Sequence, residues 1–158
     1  MWVGGTSADI PWGEFDTAVM MGHVSQAFVD DGDWLAVLDD LKSALASGGT
    51  LAFDPRDPDC RGWERWDGGW SGELPGHGPF ESRATVTRLA GNVVMFEVDT
   101  LLPGGERRHG VSDYRFRSRH ELTESVERAG FAIETVHGGW HGEAVGEGYG
   151  EIVIVARA

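Results

Sequence analysis

The segment from residue 15 to residue 54 constrains the fold of this chain more than any other. It opens with Phe15–Met20, a short apolar run after Gly13 that is typical of a buried strand. A helix should follow, because apolar side chains recur on one helical face at Trp34, Val37, Leu38, Leu41 and Leu45. Ser47-Gly48-Gly49 predicts the end of that helix, and residues 50–54 predict a second strand. This order predicts a βαβ unit with parallel strands, and therefore an α/β protein.

A second, antiparallel region is predicted after this unit. Residues 61–78 contain several Trp, Gly and Pro residues and are typical of a loop or lid. Residues 82–89, 93–102 and 106–116 are separated by turn signals and have the pattern of strands. They predict a three-stranded antiparallel meander.

The C-terminal part predicts one more helix and two strands. Ser118 and Glu121 have the spacing of a capping box, and Gly130 marks the end of the helix. Residues 131–136 and 151–158 predict the final strands. No linker or repeat interrupts the chain, so we expect residues 1–158 to form a single domain.

Composition excludes several functional classes. The net charge of −13 leaves no basic stripe for phosphates, so nucleic-acid binding is not expected. Cys60 is the only cysteine, which excludes an intrachain disulfide and suits the cytoplasm. No apolar run reaches the ~18 residues of a membrane span, and residues 1–11 lack the pattern of a signal peptide. The interpretation that remains is a protein that binds or acts on a small molecule.

The order of these elements resembles the second half of class I S-adenosylmethionine-dependent methyltransferases. "PWGEFDTAVMMGHVSQAF" is similar to the fourth strand of that fold and the turn after it. "LKSALASGGTLAFDPRDP" is similar to the next helix and the fifth strand, with Ser47 where proline is usual. "RSRHELTESVERAGF" and "EIVIVARA" resemble the last helix and the seventh strand. The resemblance implies a partial Rossmann-like sheet with strands equivalent to 4, 5, 6 and 7, and an antiparallel β meander inserted at about residues 61–116.

The same resemblance implies S-adenosylmethionine as the cofactor. "WVGGTSADIPW" is similar to the family's adenine-binding loop, with Thr6 in place of the Asp that bonds the adenine amino group and Ser7 at the small residue whose backbone faces the adenine ring. Met21 and Gly22 follow the fourth-strand equivalent, where the family borders the sulfonium. The family's glycine-rich turn and its ribose-binding acid have no counterpart here. We therefore expect a truncated methyltransferase domain that binds the cofactor weakly or not at all by itself.

His23 and Gln26 lie in the segment that borders cofactor and acceptor in the resembling family. An imidazole here is the candidate general base for an acceptor proton, and Gln26 is a candidate acceptor contact. The alternative is structural: Gly22 turns the chain and His23 caps a short helix. A catalytic base is not obligatory, since many methyl transfers need only alignment.

Arg56 and several tryptophans are the other acceptor candidates. Arg56 follows the second strand and can bind a carboxylate with two parallel hydrogen bonds, or it pairs with Asp57 or Asp59 in a surface turn. The tryptophans either line an acceptor pocket or pack the lid on the meander, and we select Trp63 and Trp140 from Trp63, Trp66, Trp70 and Trp140. His137, His141 and Glu143 do not predict a metal site, because their spacing suits a metal only on a helix.

A partner is the last expectation. Without an equivalent of the family's first strand, Phe15–Met20 becomes an exposed apolar edge, which predicts a homodimer or a complementary polypeptide bearing the missing half. Two functions stay open: methyl transfer to a small molecule, incomplete in this chain alone, or a non-catalytic binding or assembly subunit. A reading frame assigned to begin too late is a further explanation.

Overall fold

The structure, a computed structural model, describes residues 4–158, so Trp2 and Val3 of the "WVGG" segment lie outside it. It contains two sheets, two α-helices and several short 3₁₀ turns. In chain order the elements are β1 (Phe15–Met20), α1 (Asp31–Ala44), β2 (Leu45–Phe53), β3 (Gly68–Leu74), β4 (Gly78–Ala90), β5 (Val93–Leu101), β6 (Arg107–Arg115), α2 (Arg119–Arg128), β7 (Ala132–His137) and β8 (Val153–Arg157).

The first sheet has the strand order β1-β2-β8-β7. β1 and β2 are parallel, whereas β8 runs antiparallel to both β2 and β7. This order matches the predicted equivalents of strands 4, 5, 7 and 6, so the predicted α/β fold class is confirmed. β1 lies at one edge of the sheet and β7 at the other. The prediction that Phe15–Met20 is a buried strand is wrong: β1 is a largely exposed edge strand, and only Met20 in it is buried.

The helix α1 begins as its sequence predicts but ends earlier. The side chain of Asp30 caps it by accepting hydrogen bonds from two backbone N–H groups of the first turn. It ends at Ala44, because Leu45 adopts an extended conformation and pairs with Phe15 of β1. The predicted end at Ser47-Gly48-Gly49 is therefore wrong: those residues lie within β2.

Both helices pack on one face of this sheet and form its core with β2 and β8. Trp34 of α1 is 1 % exposed, and its indole N–H donates to the Ser125 hydroxyl of α2 at 2.9 Å. The predicted capping box of α2 is present, since Ser118 and Glu121 exchange hydrogen bonds. No helix within residues 4–158 is long and apolar enough to cross a bilayer.

The meander has four strands, in the order β3-β4-β5-β6, rather than the predicted three. β3 lies in the segment that the sequence predicts as a loop or lid. That prediction was wrong for β3 because glycine has a low strand propensity. Pairing with β4 makes it a strand, and the Phe80 ring covers Gly72 so closely that a Cβ there would lie 2.7 Å from it. Trp66 packs against Phe96 and Tyr114 with ring centroids 5.2 and 6.0 Å away, which fastens the lid segment to this sheet.

Candidate active site

Three stretches of chain meet at one edge of the first sheet. β1 and β2 are parallel, so their carboxyl ends lie side by side, and the residues after Met20 and Phe53 become neighbours. β8 is antiparallel to β2, so its amino end reaches the same edge and brings Glu151 there. Parallel strands place ligand sites at this end of an α/β sheet.

Asp54 is the centre of this edge. Its carboxylate is buried and accepts three hydrogen bonds: from the backbone N–H groups of Gly22 (3.3 Å) and His23 (3.0 Å), and from the indole N–H of Trp140 (3.1 Å). Gly22 and His23 both have positive φ, at 72° and 65°. Positive φ is costly for histidine, and such strain is found where surrounding contacts hold it for a function. Asp54 supplies those contacts.

His23 pairs with Glu151 through its side chain. Its Nε2 lies 3.0 Å from Glu151 Oε1, and both side chains are about one-fifth exposed, at 19 % and 21 %. A carboxylate can only accept, so Nε2 donates in this pair, and in the neutral form of the ring the lone pair lies on Nδ1. Nδ1 makes no hydrogen bond within residues 4–158. A neutral imidazole with a free, oriented lone pair can accept a proton from a ligand.

The same residues form a cluster of metal-ligand type. A ring nitrogen of His23 and one carboxylate oxygen each of Asp54 and Glu151 lie within 4.8 Å of one another, the one such group found in the described part of the chain. His137, His141 and Glu143 do not form such a group. We assign no metal to the cluster, because Asp54 already accepts three hydrogen bonds and His23 binds Glu151.

Arg56 and Gln26 form a second polar pair beside the first. Gln26 is 1 % exposed, and its Oε1 accepts a hydrogen bond from Arg56 Nη1 at 3.1 Å. The Arg56 guanidinium lies 5.0 Å from the centre of the Trp66 ring. Burial lowers the pKa of Arg56, while Tyr114, Glu151 and Asp54 raise it in part. Arg56 therefore binds Gln26, and not Asp57 or Asp59 as the surface-turn alternative required.

The tryptophans divide between the two roles considered for them. Trp63 packs edge-to-face on Phe116 at 4.6 Å, so it joins the lid to the meander's end. Trp66 stacks on Arg56 and packs on the meander, and Trp140 binds Asp54 while 42 % exposed. Trp140 is thus both fixed by a hydrogen bond and open to a ligand.

Two of the four predicted cofactor residues, Thr6 and Ser7, line a separate groove along β1, whereas Met21 and Gly22 do not. Thr6 donates its hydroxyl hydrogen to Asp9 at 3.0 Å, and Ser7 donates to Asp40 at 2.6 Å. Both line a mostly apolar groove of about 720 Å³ that reaches Val24, next to His23. Met21 is not among the lining residues and is 61 % exposed.

Part of S-adenosylmethionine fits these residues. The Thr6 and Ser7 oxygens keep lone pairs for an adenine amino group, and the apolar groove suits its ring. Gly22 has open space where a Cβ would be, so the chain leaves room beside His23. We assign no residue to the ribose or the amino-acid portion.

Comparison with known proteins identifies the fold. No protein-family model and no curated protein matches the chain. Among solved structures, it is similar to an S-adenosylmethionine-dependent methyltransferase from Clostridium acetobutylicum, with a TM-score of 0.76 at 10 % identity over 98 % of this chain and 63 % of that one. The methyltransferase CcbJ from Streptomyces caelestis gives 0.69 at 18 % identity, covering 98 % and 66 %.

A third similar structure is the sugar N-methyltransferase KedS8 from Streptoalloteichus, with a TM-score of 0.68 at 19 % identity over 98 % of this chain and 61 % of that one. The chain thus has the class I methyltransferase fold. It spans less than two thirds of the length of these structures.

Two residues of the site were missed from the sequence. Asp54 carried a signal, since it is the last residue of a strand predicted to run parallel to the strand that precedes His23. Glu151 carried none: it was predicted as part of the last strand, whereas β8 begins at Val153 and Glu151 pairs alone with Arg56. Only the antiparallel entry of β8 places its side chain at His23.

Proposed function

We propose that this chain takes part in methyl transfer from S-adenosylmethionine to a small-molecule acceptor. The observation that supports it is His23, held in a left-handed conformation by Asp54 and bonded to Glu151, at the carboxyl ends of parallel strands in a methyltransferase fold. In this proposal Thr6, Ser7, Met21 and Gly22 border the cofactor, which when bound supplies an activated methyl group.

The chain's own residues then have distinct roles. His23 accepts a proton from the acceptor at Nδ1, and Glu151 compensates the charge that forms on the ring. Gln26, Arg56, Trp63 and Trp140 surround the acceptor, with Trp63 acting through the lid it anchors. Asp54 is a positioning residue, since it contacts His23 and Trp140 rather than the acceptor.

Cofactor binding tests this proposal directly. Calorimetry with S-adenosylhomocysteine should show weak binding, and Gly22→Ala should weaken it at least tenfold further by placing a methyl group beside the methyl-bearing end of the cofactor. Gly142→Ala is the matched control, because Gly142 also has positive φ (86°, against 72° for Gly22) and open space at Cβ. Both variants should lose about 1–2 kcal/mol of stability through backbone strain. Absence of any binding by the wild-type chain would exclude independent catalysis.

We also propose that the free edge of β1 associates with another chain, either a second copy or a polypeptide bearing a complementary half. Phe15 and Val19 on this edge strand are 40 % and 57 % exposed, and unpaired strand edges recruit further strands.

Light scattering tests the association. Val19→Lys should weaken it at least tenfold, because the ammonium would have to be buried at the interface. Thr135→Lys, exposed on β7 at the opposite edge, should leave it unchanged. A wild-type monomer at all concentrations would contradict the proposal, whereas a co-purifying polypeptide without methyl transfer would favour a binding or assembly role.

A further inference from the structure

Among the described residues, the charge of Arg56 has no anionic partner. One Nη1 hydrogen bond goes to the neutral Gln26, and the ring of Trp66 covers one face of the guanidinium. Within residues 4–158, Nε and Nη2 of Arg56 make no hydrogen bond, and no carboxylate lies within salt-bridge distance of the group. Asp54 and Glu151 are near enough to act on its charge but bind other donors. A half-buried guanidinium in this state favours an anion supplied from outside the chain.

Gln26 is an independent sign that this corner is built for binding rather than for packing. The residue is 1 % exposed, and its Nε2 has no hydrogen-bond partner in the described part of the chain. The amide cannot be turned over to satisfy Nε2, because Nε2 would then face another donor, Arg56 Nη1. An apolar side chain would fill this space at lower cost. Gln26 therefore acts by holding Arg56 in place.

The neighbouring cluster of His23, Asp54, Glu151 and Trp140 favours a cation, whereas Arg56 favours an anion. Glu151 and Asp54 are carboxylates, and Trp140 presents a 42 % exposed indole beside them. Carboxylates and an aromatic face attract an ammonium group, and Nδ1 of His23 is free to take a proton from it. Transfer of that proton breaks one ammonium N–H bond, forms Nδ1–H, and leaves the nitrogen with the lone pair it needs as a nucleophile.

The spacing of the two preferences is set by the backbone. Arg56 and Glu151 are opposite each other in an antiparallel β-bridge, so their Cα atoms lie about 4.5–5.5 Å apart. Glu151 also lies close enough to Arg56 to act on its charge, so one small molecule can place an anion at Arg56 and an amine at Glu151.

We infer that the acceptor is an amino-acid-like molecule, with an anionic carboxylate or phosphate group on Arg56 and a nearby amine on His23 and Glu151. This inference rests on the proposed function only in naming the ligand a methyl acceptor. The binding preference itself follows from the side chains.

Titration of the full chain with small probes tests the preference, read from the Arg56 Nε–H and Trp140 Nε1–H signals in ¹H–¹⁵N spectra. Glycine and β-alanine should bind at least tenfold more tightly than acetate, which lacks the amine, or ethylamine, which lacks the anion. Aminomethylphosphonate distinguishes phosphate from carboxylate as the preferred anion. Ethylamine binding as tightly as glycine would overturn the inference.

Two variants locate the effect. Arg56→Gln should weaken glycine and acetate at least tenfold and leave ethylamine unchanged, whereas Arg65→Gln removes an equal charge from the exposed lid surface and should change nothing. An unchanged glycine affinity in Arg56→Gln, with the fold intact by circular dichroism, would also overturn it. Calorimetry with S-adenosylhomocysteine separates the two proposals: cofactor binding without this selectivity removes only the inference, and selectivity without cofactor binding removes only the proposed function.

Discussion

Asp54→Ala should abolish the candidate site and lower the free energy of unfolding by about 3–5 kcal/mol. Hydrogen bonds to charged groups contribute about 1.5–3 kcal/mol each, and loss of the carboxylate leaves three donors without their acceptor. The left-handed turn at Gly22 and His23 also loses the contact that compensates its strain. Urea unfolding measures the stability, and titration with S-adenosylhomocysteine and glycine measures the site.

Asp59→Ala is the matched control for this variant. Asp59 is exposed in the loop that follows β2, and its carboxylate makes no hydrogen bond among the described residues. The control should stay within about 0.5 kcal/mol of the wild type. An Asp54→Asn variant should retain part of the stability but shift the Trp140 indole N–H signal, because that N–H donates to the replaced carboxylate. Equal stability of the two alanine variants, with that signal unmoved, would show that Asp54 does not organise the site.

Trp34→Ala should be the most destabilising change in the core, at about 3–5 kcal/mol. Trp34 is 1 % exposed, its ring packs 5.6 Å from Phe53 and 6.1 Å from Phe28, and Arg117 stacks on it at 5.4 Å. Its removal opens a cavity between the two helices and the sheet. The free energy of unfolding in urea measures the effect.

Two further tryptophan variants test the origin of this destabilisation: one keeps a ring at position 34, and the other is a control at an exposed tryptophan. Trp34→Phe keeps a ring in the core but loses the hydrogen bond to Ser125, and should cost about 1–2 kcal/mol. Trp12→Ala removes a side chain that is 83 % exposed and should change stability by less than about 0.5 kcal/mol. Equal stability of Trp34→Ala and Trp12→Ala would contradict the burial of Trp34 in the core.

The predictable part of the fold consists of elements whose signal is local. The apolar run of β1, the helical spacing after Asp30 and the capping box at Ser118 each depend on residues a few positions apart, and each was found where the sequence placed it. The predictions were wrong where pairing with a strand distant in the sequence determines the conformation. Leu45 has the helical spacing of α1 but pairs with Phe15, and the glycines of β3 become a strand only because β4 lies beside them.

The candidate site shows the same division. The sequence by itself determined that a Gly-His turn and an Arg-containing turn follow two parallel strands, and that both reach one edge of a methyltransferase-like sheet. Only the tertiary structure decided that Asp54 would hold that turn, that Glu151 would reach His23, and that Gln26 would bind Arg56. The physical reason is distance along the chain: His23 and Glu151 are separated by 128 residues, and only the antiparallel packing of β8 against β2 brings their side chains to 3.0 Å.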